Sequence, residues 1–287
     1  MPNREITILY RGPLSSCNYD CCYCPFAKRH EDAEQLLTDR LALERFSDWC
    51  AQYSDGPLSV FFTPWGEALT RKWYHSTIQR LSQLPYVRRI AVQTNLSWNL
   101  DWLSQCRTER LGFWCTYHPS QISRADFLEQ CQVLRSCKVA FSVGMVARPD
   151  DYDEIEAMRA ALPAETYLWL NAWDIQDGQK YQYSDDERRR LTQVDPHFPV
   201  NTVDHPSKGF PCRTGADVFS VDGHGEVRRC HFVKERIGNL YDPDWRFPDV
   251  AHPCPASTCG CHIGYIHLPH LKQFEIYGDG LLERIPA

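Results

Sequence analysis

Between residues 6 and 194, short apolar runs alternate with amphipathic stretches, and this alternation constrains the fold more than any other feature of the chain. The strand-like runs are 6–10, 58–63, 89–94, 112–117, 139–146 and 167–173, rich in Val, Ile, Phe, Tyr and Trp. The helix-like stretches between and after them are 39–52, 72–84, 100–106, 124–137, 152–162 and 185–194. Ser123 with Asp126, and Ser184 with Glu187, have the spacing of capping boxes at helix starts. Phe127, Cys131 and Leu134 fall on one helical face. Six strand-then-helix units in a row predict a parallel sheet with right-handed crossovers. Eight units close a barrel, so six predict an α/β fold that is an open, partial (β/α)6 barrel or a doubly wound sheet.

After about residue 200 the rhythm changes. Residues 218–221 and 227–229 flank Asp222-Gly223-His224-Gly225, the pattern of a β-hairpin with a glycine-rich turn. Prolines and cysteines crowd around it. The chain therefore divides into a core over 1–205 and a small, hairpin-containing, metal-stapled segment over 206–287.

Several function classes are disfavoured at once. The 287 residues are 43% apolar and 24% charged, ordinary globular values, and no run of 18 apolar residues predicts a membrane span. Net charge is −6 with no Lys/Arg block, which argues against nucleic acid as a partner. The first ten residues lack an apolar signal core, so the expected location is the cytoplasm.

In a reducing compartment, fourteen cysteines predict metal binding rather than a disulfide framework. Cys50, Cys106, Cys115, Cys131 and Cys137 are scattered and suit apolar packing. Cys17, Cys21, Cys22 and Cys24 form one group, and Cys212, Cys230, Cys254, Cys259 and Cys261 another. Cys17, Cys21 and Cys24 are spaced C-x3-C-x2-C in the loop after the first strand, where a β/α barrel places its active site. Zinc sites usually take two C-x2-C pairs. Three thiolates on a four-iron cube leave one iron open to a substrate or cosubstrate. Cys22 cannot easily point with its neighbour Cys21, and is taken as non-ligating.

This loop, with Tyr23 before its third cysteine, resembles the signature of the radical SAM superfamily. The resemblance implies a [4Fe–4S] cluster that binds S-adenosylmethionine and cleaves it to a 5′-deoxyadenosyl radical, which abstracts hydrogen from a substrate. Thr63-Pro64-Trp65-Gly66-Glu67 after the second strand is similar to the family's Gly-Gly-Glu-Pro motif, with Trp65 in place of the first glycine. By that resemblance Gly66 and the Glu67 carboxylate hold the SAM ammonium. Thr94 and Asn95 end the third strand as in many members. Thr116 and His118 end the fourth, within reach of the SAM carboxylate, ribose or substrate. Gly144, on the fifth, packs the adenine, and Asn171 stands on the sixth. No catalytic acid or base is assigned.

The second cysteine group resembles the twitch domain, the shortened relative of the SPASM domain, which carries an auxiliary [4Fe–4S] cluster. Cys212 and Cys230 flank the hairpin as expected ligands. Two of Cys254, Cys259 and Cys261 complete the set, and the i, i+2 spacing of Cys259 and Cys261 slightly favours that pair. Zinc is the alternative metal there. The chain is thus expected to be a radical SAM oxidoreductase or maturase acting on a peptide, a protein or a small molecule. Its electron donor would be a protein such as flavodoxin or ferredoxin. The alternative is a non-catalytic iron–sulfur carrier or scaffold, which needs no Glu67 or Thr94-Asn95 pocket.

Overall fold

A computed structural model describes residues 4–24, 26, 29–176, 179–248, 250 and 252–287. The first three residues of the expected core and Pro25 lie outside them. Six parallel strands run in sequence order: β1 (Ile6–Arg11), β2 (Leu58–Phe62), β3 (Val87–Thr94), β4 (Leu111–Thr116), β5 (Ala140–Val146) and β6 (Leu168–Asn171). Crossover helices α1 (Ala33–Gln52), α2 (Lys72–Gln83), α3 (Arg124–Ser136) and α4 (Tyr152–Ala161) cover the outer face, and α5 (Asp185–Val194) follows β6. This is the open α/β barrel that the six-unit alternation predicts, with strand bounds shifted by only a residue or two.

Both faces of the sheet are buried. Ile8, Tyr10, Val60, Phe62, Ile90, Val92, Phe113, Val143 and Met145 pack outward against the helices. Leu9, Phe61, Ala91, Trp114 and Trp169 point inward into a second, smaller core. Alternation then turns Arg11, two residues beyond Leu9, into the barrel at its carboxyl end.

Three local expectations differ from the structure. Helix α1 begins at Ala33 rather than near Asp39, because Asp32 and Gln35 form a full capping box there. The expected helix over 100–106 is instead a pair of 3-10 turns, Asp101–Gln105 and Thr108–Arg110. Only Trp102 and Leu103 of that first turn are buried, and the Trp102 ring stacks on His75 at 4.6 Å, so a single anchored turn suffices.

The hairpin after residue 205 is the third difference. Small strands β7 (Asp174–Gln176), β8 (Gln179–Lys180) and β9 (His205–Pro206) precede β10 (Val218–Asp222) and β11 (Glu226–Arg228). β10 pairs parallel with β1, so the hairpin continues the main sheet, followed by β12 (Arg236–Asn239). The Asp222 carboxylate accepts from the backbone of His224 and Glu226 to shape the turn.

The chain then returns into the barrel. After β13 (Thr258–Cys259), the single-turn helix α6 (His262–Tyr265) places Ile263 in the inner core with Leu9 and Trp169. The C-terminal residues close the inner core. Glu283 is fully buried and pairs with Arg89 at 3.2 Å, and the Arg284 guanidinium lies 4.3 Å from the Trp169 ring centre. Among the described residues, no helix is long and apolar enough to cross a membrane.

Candidate active site at the carboxyl ends of the strands

The Cys17–Cys24 loop leaves β1 and is held by two carboxylates that the sequence did not single out. Glu31 accepts from the Ser15 amide at 2.8 Å, from the Ser16 amide at 3.1 Å and from both serine hydroxyls. Asp39, buried in α1, accepts from the Leu14 amide at 3.1 Å and from the Trp73 indole at 2.7 Å. Burial pushes the Asp39 carboxyl up to about 6, against the pull of those donors. The only sequence signal was weak: Glu31 directly precedes the Asp32 cap, and Asp39 stands at an inward-facing helical position.

Within the loop the Cys24 amide donates to the Cys21 carbonyl at 3.0 Å. The Tyr19 amide lies 3.4 Å from the Cys17 sulfur, and the Asn95 side-chain amide 3.7 Å from it. Burial, then the neighbouring charges of Cys24 and Cys17, push the Cys21 thiol up to about 12. Burial raises Cys17 to about 11 despite the Tyr19 amide. Such a group resists ionisation until a cation joins it. Cys22 is exposed beside them.

Gly66, Glu67, Asn95 and His118 meet this loop, and Thr94 joins it through Glu67. Gly66 and Glu67 pair with it through their backbone, donating to Leu14 and Ser16 carbonyls at 3.2 and 3.0 Å. The Glu67 side chain is only 4% exposed. It accepts from the Leu69 amide at 2.9 Å, the Thr94 hydroxyl at 2.8 Å and the Asn95 amide at 2.6 Å. Both carboxylate oxygens are therefore engaged within the protein, and burial still leaves its carboxyl raised above the ordinary range. Asn95 also bonds Asn18 at 3.0 Å, tying the end of β3 to the cysteine loop. His118 meets the Tyr23 hydroxyl at 2.9 Å and stacks near its ring, while the Arg148 guanidinium lies 4.9 Å from that ring centre. Burial lowers His118 to about 4. Thr116 ends β4 half-buried. At Gly144 the Trp169 indole fills the space where its Cβ would be, so this glycine receives a tryptophan. Trp65, 43% exposed, has Phe26 4.9 Å from its ring and the Arg11 guanidinium 4.3 Å from it.

The second group gathers from distant parts of the chain. Cys212, Cys254 and Cys259 pack with Tyr265, Ile266, Leu268 and Tyr277. Burial raises the Cys230 thiol; the Phe232 and Val233 amides oppose this, and Cys212 and Cys254 add to it. Burial, then Cys261, Cys230, Cys212 and Cys254, push Cys259 up to about 12. Cys261 adjoins Cys259 but has different surroundings. Burial raises it, and Arg11, Arg284 and Lys180 favour its thiolate. It is open to water. Among the described residues, no three His, Cys, Asp or Glu side chains meet at a single-ion site. Of the nearby histidines, His262 and His267 are buried against aromatic and apolar neighbours.

No protein-family model and no curated protein matches the sequence. Solved structures match the fold. anSMEcpe with bound AdoMet aligns over 83% of this chain and 78% of its own, at 13% identity and a TM-score of 0.54. Its structure with AdoMet and the Cp18Cys peptide aligns equally far, at 14% identity and a TM-score of 0.53. SuiB of Streptococcus suis bound to S-adenosylmethionine aligns over 84% of this chain and 64% of its own, at 12% identity and a TM-score of 0.53. These are radical SAM enzymes, and their fold is the fold of this chain.

Proposed function

We propose that this chain, built on the radical SAM fold, is an enzyme that reductively cleaves S-adenosylmethionine and abstracts hydrogen from a substrate. The observation that carries the reading is the junction of the Cys17–Cys24 loop with Gly66, Glu67 and Asn95 at the ends of three adjacent strands. Cys17, Cys21 and Cys24 would hold a [4Fe–4S] cluster. Their thiols are unpaired and share one loop, and Cys21 is raised by Cys24 and Cys17, which suits a cationic cluster. When bound, that cluster with S-adenosylmethionine supplies one-electron cleavage of the S–C5′ bond to a 5′-deoxyadenosyl radical.

The chain's own residues hold and shelter that site. Glu67 is a positioning residue, fixing the β2 turn to the end of β3. Asn95 and Tyr19 direct N–H groups at Cys17. His118, neutral near pH 7, and Arg148 bracket Tyr23 and so orient the third cysteine. Trp65 and Phe26 shield the mouth from water.

Cys212, Cys230, Cys254 and Cys259 would hold the auxiliary [4Fe–4S] cluster, with the exposed Cys261 left outside the set. Cys212 and Cys254 act on Cys230, and Cys261, Cys230, Cys212 and Cys254 act on Cys259, which supports a thiolate site here. A peptide is the favoured substrate class, because anSMEcpe has been solved with a bound peptide. A flavodoxin- or ferredoxin-like protein would supply the electron, and the enzyme would act in the cytoplasm.

Anaerobic reconstitution with iron and sulfide tests the reading. Wild-type protein should hold about eight irons, and reduced protein should form 5′-deoxyadenosine from S-adenosylmethionine. Cys24→Ala should abolish that product, and Cys22→Ala should not. A carrier or scaffold would take up iron and form no 5′-deoxyadenosine; zinc in the second group would leave about four irons.

A further inference from the structure

At the amino ends of the strands, away from the cysteine loop, the barrel holds a cavity of about 460 Å³. Thr7 of β1 and Ser59 of β2 line it. They stand two residues before the inward-facing Leu9 and Phe61, so alternation turns them into the same interior. Phe274, Leu281 and Leu282 of the C-terminal segment also line it. Leu281 packs with Cys212, Cys254 and Tyr277, so the cavity lies between the barrel and the segment that holds the second cysteine group.

Four arginines line this cavity, Arg88, Arg89, Arg110 and Arg213, with two carboxylates, Glu5 and Asp279. Arg89 is tied to Glu283 at 3.2 Å. Arg213 stands 3.7 Å from Asp217, and its guanidinium lies 4.8 Å from the Phe274 ring centre. The other two are less engaged. Arg88 is 3.9 Å from one Glu5 oxygen, too far for a hydrogen bond, while the other accepts from the Ser59 hydroxyl at 2.6 Å. Arg110 donates to the Ser82 carbonyl at 3.0 Å and to the Leu84 carbonyl, and among the described residues no carboxylate pairs with it.

An independent observation points to a ligand. His267 lines the same cavity and is 1% exposed, and neither of its ring nitrogens has a hydrogen-bond partner among the described residues. A buried nitrogen left unpaired costs free energy that a ligand in the cavity would recover. Guanidinium groups on several sides of one space suit a phosphoryl group, which offers three acceptor oxygens and close to two charges. The apolar part of the wall suits an apolar body.

We infer that this cavity binds a small phosphate monoester with an apolar body. Arg88 and Arg110 take its phosphoryl group, His267 is a hydrogen-bonding neighbour, and Phe274 and Leu282 cover its body. The bound ester clamps the C-terminal segment to the barrel. Because the site lies at the amino end of the strands, it serves binding and not the reaction.

Equilibrium dialysis of 1-naphthyl phosphate against reconstituted, unreduced holoenzyme tests this, with excess S-adenosylmethionine filling the catalytic site. The ester should occupy a single saturable site and raise the melting temperature. Inorganic phosphate and 1-naphthoate should each bind more weakly, on the order of tenfold. Arg110→Gln and Arg88→Gln should each weaken the ester to a similar degree, on the order of tenfold. Arg88 is exposed and loosely paired, so Arg88→Gln should keep wild-type melting and 5′-deoxyadenosine formation. It judges the site even where Arg110→Gln does not fold.

No saturable binding, or binding that Arg88→Gln leaves unchanged, would overturn the inference. So would binding seen only when S-adenosylmethionine is left out, because the ester would then occupy the catalytic site. Equal affinity for 1-naphthoate would overturn the choice of a phosphoryl group, and equal affinity for inorganic phosphate the choice of an apolar body.

Discussion

Gly66 lies so close to the backbone of Ser16 that a Cβ at position 66 would collide with the Ser16 carbonyl oxygen and stand 2.7 Å from its carbonyl carbon. The two segments are already joined there by the Gly66 and Glu67 amides. Glycine is needed at this place for close approach, because the loop after β2 must press against the loop that carries the cysteines.

Gly66→Ala should therefore part the two loops. The expected cost is about 2 to 3 kcal/mol of stability, since backbone cannot yield as a flexible side chain would. Thermal melting should fall, and reconstituted protein should lose 5′-deoxyadenosine formation while the second cysteine group keeps about four irons. A variant with wild-type melting and product would show that the contact is dispensable.

The two ends of the Cys254–Cys261 segment should behave differently. Cys254→Ala should lower the iron content from about eight to about four per chain, whereas Cys261→Ala should leave it at about eight. Iron and sulfide analysis after anaerobic reconstitution checks both. The reverse pattern would place Cys261 in the ligand set.

The buried pair of Arg89 and Glu283 makes a prediction about folding alone. Glu283 is fully buried, and among the described residues its carboxylate has no hydrogen-bond partner besides the Arg89 ion pair. Arg89→Met should cost about 3 to 5 kcal/mol, because it strands a buried carboxylate. Adding Glu283→Gln should recover part of that loss, since a neutral amide is cheaper to bury than a lone charge. Denaturant melts of the two variants test this, and equal stability would remove the pair from the account of how the barrel is closed.

His118 should make the protein acid-sensitive. Its pKa is lowered from 6.5 to about 4 by burial, so between these values the unfolded chain binds more protons than the folded one. The stabilisation is fully present above pH 6.5 and is lost as pH falls towards 4, by no more than about 3 kcal/mol. His118→Gln keeps an acceptor for the Tyr23 hydroxyl and should flatten the fall in melting temperature across that window. An unchanged slope would mean that other buried histidines carry it.

What the sequence by itself determined is local. The 3.6 and 2.0 periodicities placed six strands and most of the helices, because a strand or helix is decided by its own run of residues. The cysteine triplet, Gly66-Glu67 and Thr94-Asn95 were legible because each is a short string at the end of a strand. The 3-10 turns at 101–110 were not, since one buried turn leaves too short a pattern to tell from a helix. Tertiary structure decided everything that joins distant segments. It brought Cys259 near Cys261, Cys230, Cys212 and Cys254, filled the space at Gly144 with Trp169, and put Glu31 and Asp39 beneath the cysteine loop. It also joined the hairpin to β1. No local pattern encodes these contacts. They follow from which faces come together when the sheet curls and its last helices fold back into it, and burial then decides which polar groups must find one another.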